Sequence, residues 1–349
     1  MKKKITALAL AAVMVLGLTA CGGGAASSGT ASTGAASSST TDVAFVTDVG
    51  NIDDQSFNQY TWAGVQQFCD ANGLNANYYK PSEDSDAARV EQMDNAVKDG
   101  AKVIVMAGYL FAPALEEAQA KYPDISFLAL DVSTGDLAEP AANTALITYK
   151  EEQAGYLAGY AAVTDGYKKL GFLGGMAVPA VIRYGYGFVQ GANQAAADLG
   201  VSAVTIKYWY SDGTEVVFAC GGSICNSCVA AAQANNGKMI GVDVDQSPLD
   251  ACVITSAMKA LSNSVVVCLT DAQGNGWKFT DAYAGKETTL GAAEDCVGLP
   301  METSQFTTFT QEKYDELYGK MASGELVIDN SSDAAVKPAV TNVTVDYQD

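Results

Sequence analysis

The sequence predicts an α/β chain of two lobes, each a largely parallel sheet flanked by helices. Three observations point there. Short continuous apolar runs alternate with longer segments whose apolar residues recur at helical spacing, as expected for parallel strands buried on both faces. The alternation restarts near residue 150, which divides the chain into two similar halves. The length of 349 residues, 48% hydrophobic and 17% charged, suits two cores and excludes a disordered chain.

Taken in order, residues 43–47 form an apolar strand ending at Asp48. Phe57, Tyr60, Gly64, Val65 and Phe68 then recur at helical spacing. A weak strand at 77–79 is followed by a helix marked by Val90, Met93 and Val97 and stopped by Gly100. Residues 102–107 form a strand. Pro113 suits a helix start, with Leu115, Ala118 and Tyr122 on one face. Strands follow at 125–130, ending at Asp131, and at 145–149. After a helix carrying Ala154, Leu157, Ala158 and Ala161, the pattern repeats with strand 170–173, helix 181–199, strands 205–210 and 215–219, helix 223–234 and strand 238–242.

Residues 1–20 stand apart from this fold. Lys2, Lys3 and Lys4 precede an apolar run over 5–18 that is too short to span a bilayer, and Leu18, Thr19, Ala20 and Cys21 close it. That ending resembles the lipobox of bacterial lipoproteins, which implies cleavage before Cys21, a lipid on its sulfur and an extracytoplasmic chain held at the cell membrane. Residues 22–41 are only Gly, Ala, Ser and Thr, a flexible tether. The expected organisation is a signal peptide at 1–20, anchor and tether at 21–42, a first lobe at 43–149 plus about 255–300, and a second at 150–254 plus about 301–349, with chain crossings near Tyr149, Thr255 and Pro300.

Composition removes several function classes. No histidine occurs, which excludes His-based triads, metal ligands and proton shuttles. The net charge of −20 argues against a nucleic-acid partner. No GxxxxGK[ST] run is present for a P-loop, and Gly185, Gly187 and Gly191 lie inside a predicted helix rather than after a strand, so they are no dinucleotide fingerprint.

In open parallel sheets, ligands bind beyond the carboxyl ends of the strands. Asp48 begins a loop that leads to a helix start, where Phe57 and Asn58 follow. A ring that stacks, an amide with donor and acceptor, and a carboxylate accepting ring N–H groups can together recognise a flat polar heterocycle. Phe57 is equally readable as a core helix residue, and Asp131, Asp243 and Lys259 as solvated charges at strand ends. Asp53 and Asp54 suit the dipole of the helix that follows.

The run VTDVGNIDDQSFNQYTWAGV resembles the first ligand loop of the basic membrane protein family of purine nucleoside receptors, lipid-anchored substrate-binding proteins of ABC transporters. FLALD at 127–131, EEQAGYLAG at 151–159, GFLGGMAVPAVIRYGYGFVQG at 171–191, GVDVDQ at 241–246 and TSAMK at 255–259 extend the match over nearly the whole body. The resemblance implies a two-lobe periplasmic-binding-protein type I fold that closes on guanosine, inosine or adenosine and delivers it to a permease with separate ATPase subunits. It implies a monomer with no cofactor, no catalytic residues and no metal. By the same resemblance Asp48 and Asn58 bind the base, and Phe57 and Tyr184 sandwich it, Tyr184 standing where the family usually has Phe. Asp131, Asp243 and Lys259 hold the ribose hydroxyls, and Gly221 and Gly222 let backbone approach the ligand.

Two features depart from the family pattern. Only Ser211, Asp212, Gly213 and Thr214 separate two strands between which the family carries a helix. The expectation is a second lobe lacking a helix between residues 210 and 215, with either an antiparallel hairpin at Asp212-Gly213 or an earlier segment pulled from the sheet, and Gly221 and Gly222 in doubt. The second feature is the cysteines. Cys220, Cys225 and Cys228 are spaced C-x4-C-x2-C, as in some iron–sulfur proteins, with Cys252 or Cys268 as a fourth ligand. Small buried residues or a disulfide formed after export is the reading preferred here, because no twin Arg marks export of a prefolded cofactor protein. Two rival functions are a nucleoside hydrolase using the crevice carboxylates and an anchored receptor or adhesin with a degraded site.

Overall fold

The computed structural model of the chain describes residues 40–48, 50–208 and 214–347. The first half runs β1 (Val43–Val46), α1 (Phe57–Asn72), β2 (Ala76–Tyr79), α2 (Asp86–Lys98), β3 (Val103–Ala107), α3 (Ala112–Lys121), β4 (Ser126–Leu130) and β5 (Thr144–Tyr149). The second runs α4 (Glu151–Thr164), β6 (Lys169–Gly174), α5 (Pro179–Leu199), β7 (Val204–Tyr208), β8 (Val216–Cys220), α6 (Ile224–Asn235), β9 (Lys238–Asp243) and β10 (Val253–Lys259). The chain ends with α7 (Leu261–Gly274), β11 (Lys286–Leu290), β12 (Val297–Gly298), α8 (Gln311–Ala322) and β13 (Val343–Tyr347).

Two sheets organise these elements. One has strand order β11-β5-β4-β3-β1-β2 and is parallel throughout. The other has order β12-β10-β9-β8-β6-β7-β13 and is parallel except where β12 meets β10. Every residue of β1, β3, β4 and β5 is buried, because helices cover both faces; this is why those strands read as unbroken apolar runs.

The chain passes between sheets at Lys150, after Lys259, and between β11 and β12. The Lys150 N–H donates to the Leu290 carbonyl and the Ala260 N–H to the Cys296 carbonyl, each at 2.8 Å, so the crossings are bonded to one another. The second crossing falls beyond Thr255, which lies inside β10. Thr255 and Ser256 continue that strand because both hydroxyls are satisfied internally, by Ser304 at 2.7 Å and by the Gln246 N–H at 3.0 Å. The third crossing precedes Pro300.

β7 and β8 are not an antiparallel pair, and neither has left the sheet. Both run parallel to β6, one on each side of it, with Ile206 and Val216 level with Leu170. The hairpin signal at Asp212-Gly213 is overridden by this pairing. Residues 209–213, which include most of the short connection, lie outside the described residues. The register explains how a short link suffices: from Tyr208 to Val216 the chain returns by only about two residue levels, some ~7 Å, and steps across one intervening strand, about 10 Å. Along the paired β7 and β13, Thr205, Thr344 and Asp346 are exposed polar residues.

α4 and α5 meet through glycines. A Cβ on Gly187 would lie 2.2 Å from the Glu152 carbonyl oxygen, and one on Gly191 2.0 Å from that of Tyr156. Gly155 and Gly159 stand as closely against the Tyr184 and Phe188 carbonyls. The glycine spacing inside α5 is therefore a helix-crossing device that brings α5, with Arg183 and Tyr184, against the start of α4.

Candidate ligand-binding site

A cavity of about 510 Å³, within the range of small-molecule sites, lies at the carboxyl ends of strands from both sheets. Asp48, Phe57, Asn58 and Asp131 line it from the first sheet's side, and Tyr184, Gly221, Gly222, Asp243 and Lys259 from the second's. All nine residues named from the sequence thus share one cavity wall. Asp131 immediately follows β4, and Asp243 and Lys259 are the last residues of β9 and β10. Asp131 and Asp243 take positive φ, 59° and 67°, a conformation that most side chains resist and that aspartate tolerates best.

Asp54 builds the first wall. Its carboxylate accepts the backbone N–H groups of Ser56, Asn58 and Gln59 at 2.9–3.1 Å, capping α1. It also accepts from Asn58 Nδ2 at 3.2 Å, while Asp48 Oδ1 accepts from the same Nδ2 at 3.1 Å and from the Gly50 N–H at 2.6 Å. Asn58 Oδ1 is buried and has no partner among the described residues. Burial raises the Asp48 carboxyl above the ordinary aspartate value, against the pull of its two donors.

Lys259 organises the opposite end. Its ammonium donates to Asp131 Oδ2 at 2.6 Å and to Glu151 Oε1 at 3.4 Å, and lies 3.8 Å from Asp243 Oδ1. Burial alone would depress this ammonium; the three carboxylates outweigh it and hold the group above the usual lysine range. Burial lifts Asp131 to about 6, with Lys259 pulling it down and Glu151 pushing it up. Asp131 Oδ1 is buried and has no partner among the described residues. Carboxylates that flank an ammonium and keep unmet lone pairs can accept from hydroxyl donors without leaving a lone buried charge.

Three members of this end escaped the sequence reading. Glu151 is fully buried and takes the Arg183 Nε at 2.7 Å on its second oxygen, so Arg183 and Lys259 share one carboxylate. Ser56 donates its hydroxyl to Asp243, joining the start of α1 to the end of β9. Glu151 opens a helix that is apolar only after Glu152 and Gln153, and charge at the start of such a buried helix was the available signal; Ser56 carried none.

Phe57 and Tyr184 flank the Lys259 ammonium, which is 4.4 Å from the Phe57 ring centroid and 5.8 Å from that of Tyr184. Tyr184 stands edge-on to Phe218, and its hydroxyl is buried with no partner among the described residues. Gly221, at φ 152°, sits where a Cβ would come 3.1 Å from Gly175 backbone, so the β6 and β8 loops approach too closely for a side chain. Both Gly221 and Gly222 reach the cavity despite the short connection before β8.

The seven cysteines within the described residues are free and buried. Cys225, Cys228 and Cys252 pack in one apolar cluster under α6, while Cys220 ends β8 at the cavity. No group of three metal-ligating side chains occurs among the described residues.

The profile of the family described as ABC transporter substrate-binding protein PnrA-like matches residues 41–332. A CD4+ T-cell-stimulating antigen of Listeria monocytogenes is 30% identical over 94% of this chain and 99% of its own. An ABC transporter nucleoside-binding protein, BmpA, of Lactococcus lactis is 28% identical over 71% of this chain and 76% of its own. Among solved structures, an ABC transporter solute-binding protein from Aeropyrum pernix superposes with a TM-score of 0.70 at 21% identity, covering 84% of this chain and 95% of that one. At that identity the likeness shows the fold.

Proposed function

The chain belongs to the PnrA-like ABC transporter substrate-binding proteins, and from that membership we propose that it captures a purine nucleoside outside the membrane and hands it to its permease. Such a protein works with a permease and ATPase subunits. The observation that carries the nucleoside reading is a single cavity lined by Asp48, Phe57 and Asn58 together with Asp131, Asp243 and Lys259. A purine nucleoside presents a flat polar base at one end and sugar hydroxyls at the other, which matches an amide and carboxylate beside an aromatic ring on one side and a carboxylate–ammonium cluster on the other. Phe57 offers a stacking face between them, and Asp131, Asp243 and Lys259 would take the ribose hydroxyls. No helix among the described residues is long and apolar enough to cross a membrane. Cys21, outside the described residues, is proposed as the lipid anchor, and mass spectrometry of the membrane-extracted chain tests it.

Because ligand contacts come from both lobes, binding favours the closed arrangement by the contacts that only closure completes. Calorimetric titration with purine nucleosides, free bases and ribose tests the reading. Nucleosides binding far more tightly than either fragment supports it. Equal binding by ribose alone, or no binding by any nucleoside, contradicts it.

A further inference from the structure

Glu151 and Arg183 stand behind the cavity wall rather than in it. Glu151 has no exposed surface, and its two oxygens are taken by different cations, Oε2 by Arg183 Nε at 2.7 Å and Oε1 by Lys259 Nζ at 3.4 Å. It is the first residue of α4, and the head of that helix is held to the chain crossings: the Lys150 N–H donates to the Leu290 carbonyl and Gln153 Oε1 accepts the Ala292 N–H, each at 2.8 Å. Glu151, Arg183, Asp243 and Lys259 all belong to the second sheet or to α4 and α5 packed on it. Their two cations and two carboxylates balance. Asp131 follows a strand of the first sheet, so parting the lobes would remove it from Lys259 and leave a neutral cluster behind.

Resting on the nucleoside reading above, we propose that Arg183 is a positioning residue for ligand capture: acting through Glu151, it keeps the Lys259 cluster neutral, so that Asp131 closes onto an ammonium and not onto net negative charge. Without the guanidinium the same buried cluster carries one excess carboxylate before closure and two after it, an arrangement that low-dielectric surroundings penalise. Closure would then draw in a proton. The other groups facing the cluster do not supply the missing charge. Burial holds Tyr149, Tyr184 and Cys220 above their ordinary values, so they stay neutral near pH 7. Glu152 follows Glu151 on α4, and Asp54 acts on Asp243 from the head of α1; both are carboxylates and add to the negative side.

The test is calorimetric titration of guanosine into the full chain between pH 6 and 8, with thermal unfolding run beside it to show that each variant is folded. The wild type should change affinity by about twofold or less over that range, whereas Arg183→Gln should bind about tenfold more weakly at pH 8 than at pH 6, as a rise of one unit in a carboxyl pKa of the closed form requires. Arg183→Lys should restore the shallow profile, and so should Glu151→Gln combined with Arg183→Gln, which removes the ion pair without changing the net charge. A loss in Arg183→Gln that is equal at both pH values, or no loss, overturns the proposal and leaves nucleoside capture standing. Should Arg183→Gln not fold, the double variant decides: binding within about threefold of the wild type supports the proposal, and a folded double variant that has lost binding overturns it. A wild type that binds no guanosine overturns both readings.

Discussion

Phe57 is the residue on which base capture turns. As a core residue it would be replaceable at a cost in stability alone; as a stacking face it contributes about 1–3 kcal/mol of binding. Phe57→Ala should therefore weaken guanosine by roughly tenfold or more in calorimetry, and an unchanged affinity would remove it from the site. Glu152, next to Glu151, makes a prediction about stability instead. Burial, helped by the charge of Glu151, lifts its carboxyl from 4.5 to about 7, and one of its oxygens has no partner among the described residues. The folded chain keeps this proton where the unfolded chain has lost it. Stability from this group is thus fullest below about pH 4.5 and declines as pH rises through about 7, by up to about 3 kcal/mol. Denaturant titrations across that window should show the decline, and Glu152→Gln should make it shallower, leaving the part due to Asp131.

At the scale of elements, α1 depends on a cap that precedes its first residue by three positions. Asp54→Ala should cost about 1–2 kcal/mol in denaturant unfolding and weaken nucleoside binding too, since Asn58 loses one of the carboxylates that orient it. The α4–α5 crossing makes a harder demand. Gly187→Ala or Gly191→Ala sets a methyl about 2 Å from a carbonyl oxygen, and either should destabilise the chain by roughly 3 kcal/mol or more as the helices separate. The strand ends are where sequence and structure agree, because a strand buried on both faces is a continuous apolar run and its end marks the ligand edge. Asp48, Asp131 and Asp243 are legible for that reason, whereas Lys259 is legible only through the family resemblance of TSAMK at 255–259. Glu151 is not, because its burial depends on Lys259 and Arg183 arriving from elements remote in sequence. The β7–β8 link misleads for a related reason: Asp212-Gly213 is a local turn signal, whereas the pairing of both strands with β6 is decided by the whole sheet. The elements after β10 carry weaker periodicity, β13 being a half-exposed edge strand.

For the whole molecule, the two sheets meet across the cavity through few direct bonds. Ser56 reaches Asp243, Gln246 Nε2 donates to the Gln55 carbonyl at 2.9 Å, and Lys259 donates to Asp131. A ligand that bridges Asn58 and Asp131 to the Asp243 end adds to these ties, so it should raise stability by about 2.7 kcal/mol when present at a hundredfold its Kd. Thermal unfolding with and without guanosine checks this. The most direct test of the account is a crystal structure of the chain with guanosine. It should show the Watson–Crick edge against Asp48 and Asn58, and the ribose diol against Asp131, Asp243 and Lys259. A guanosine bound in the reverse sense, or seated away from Phe57, would contradict it.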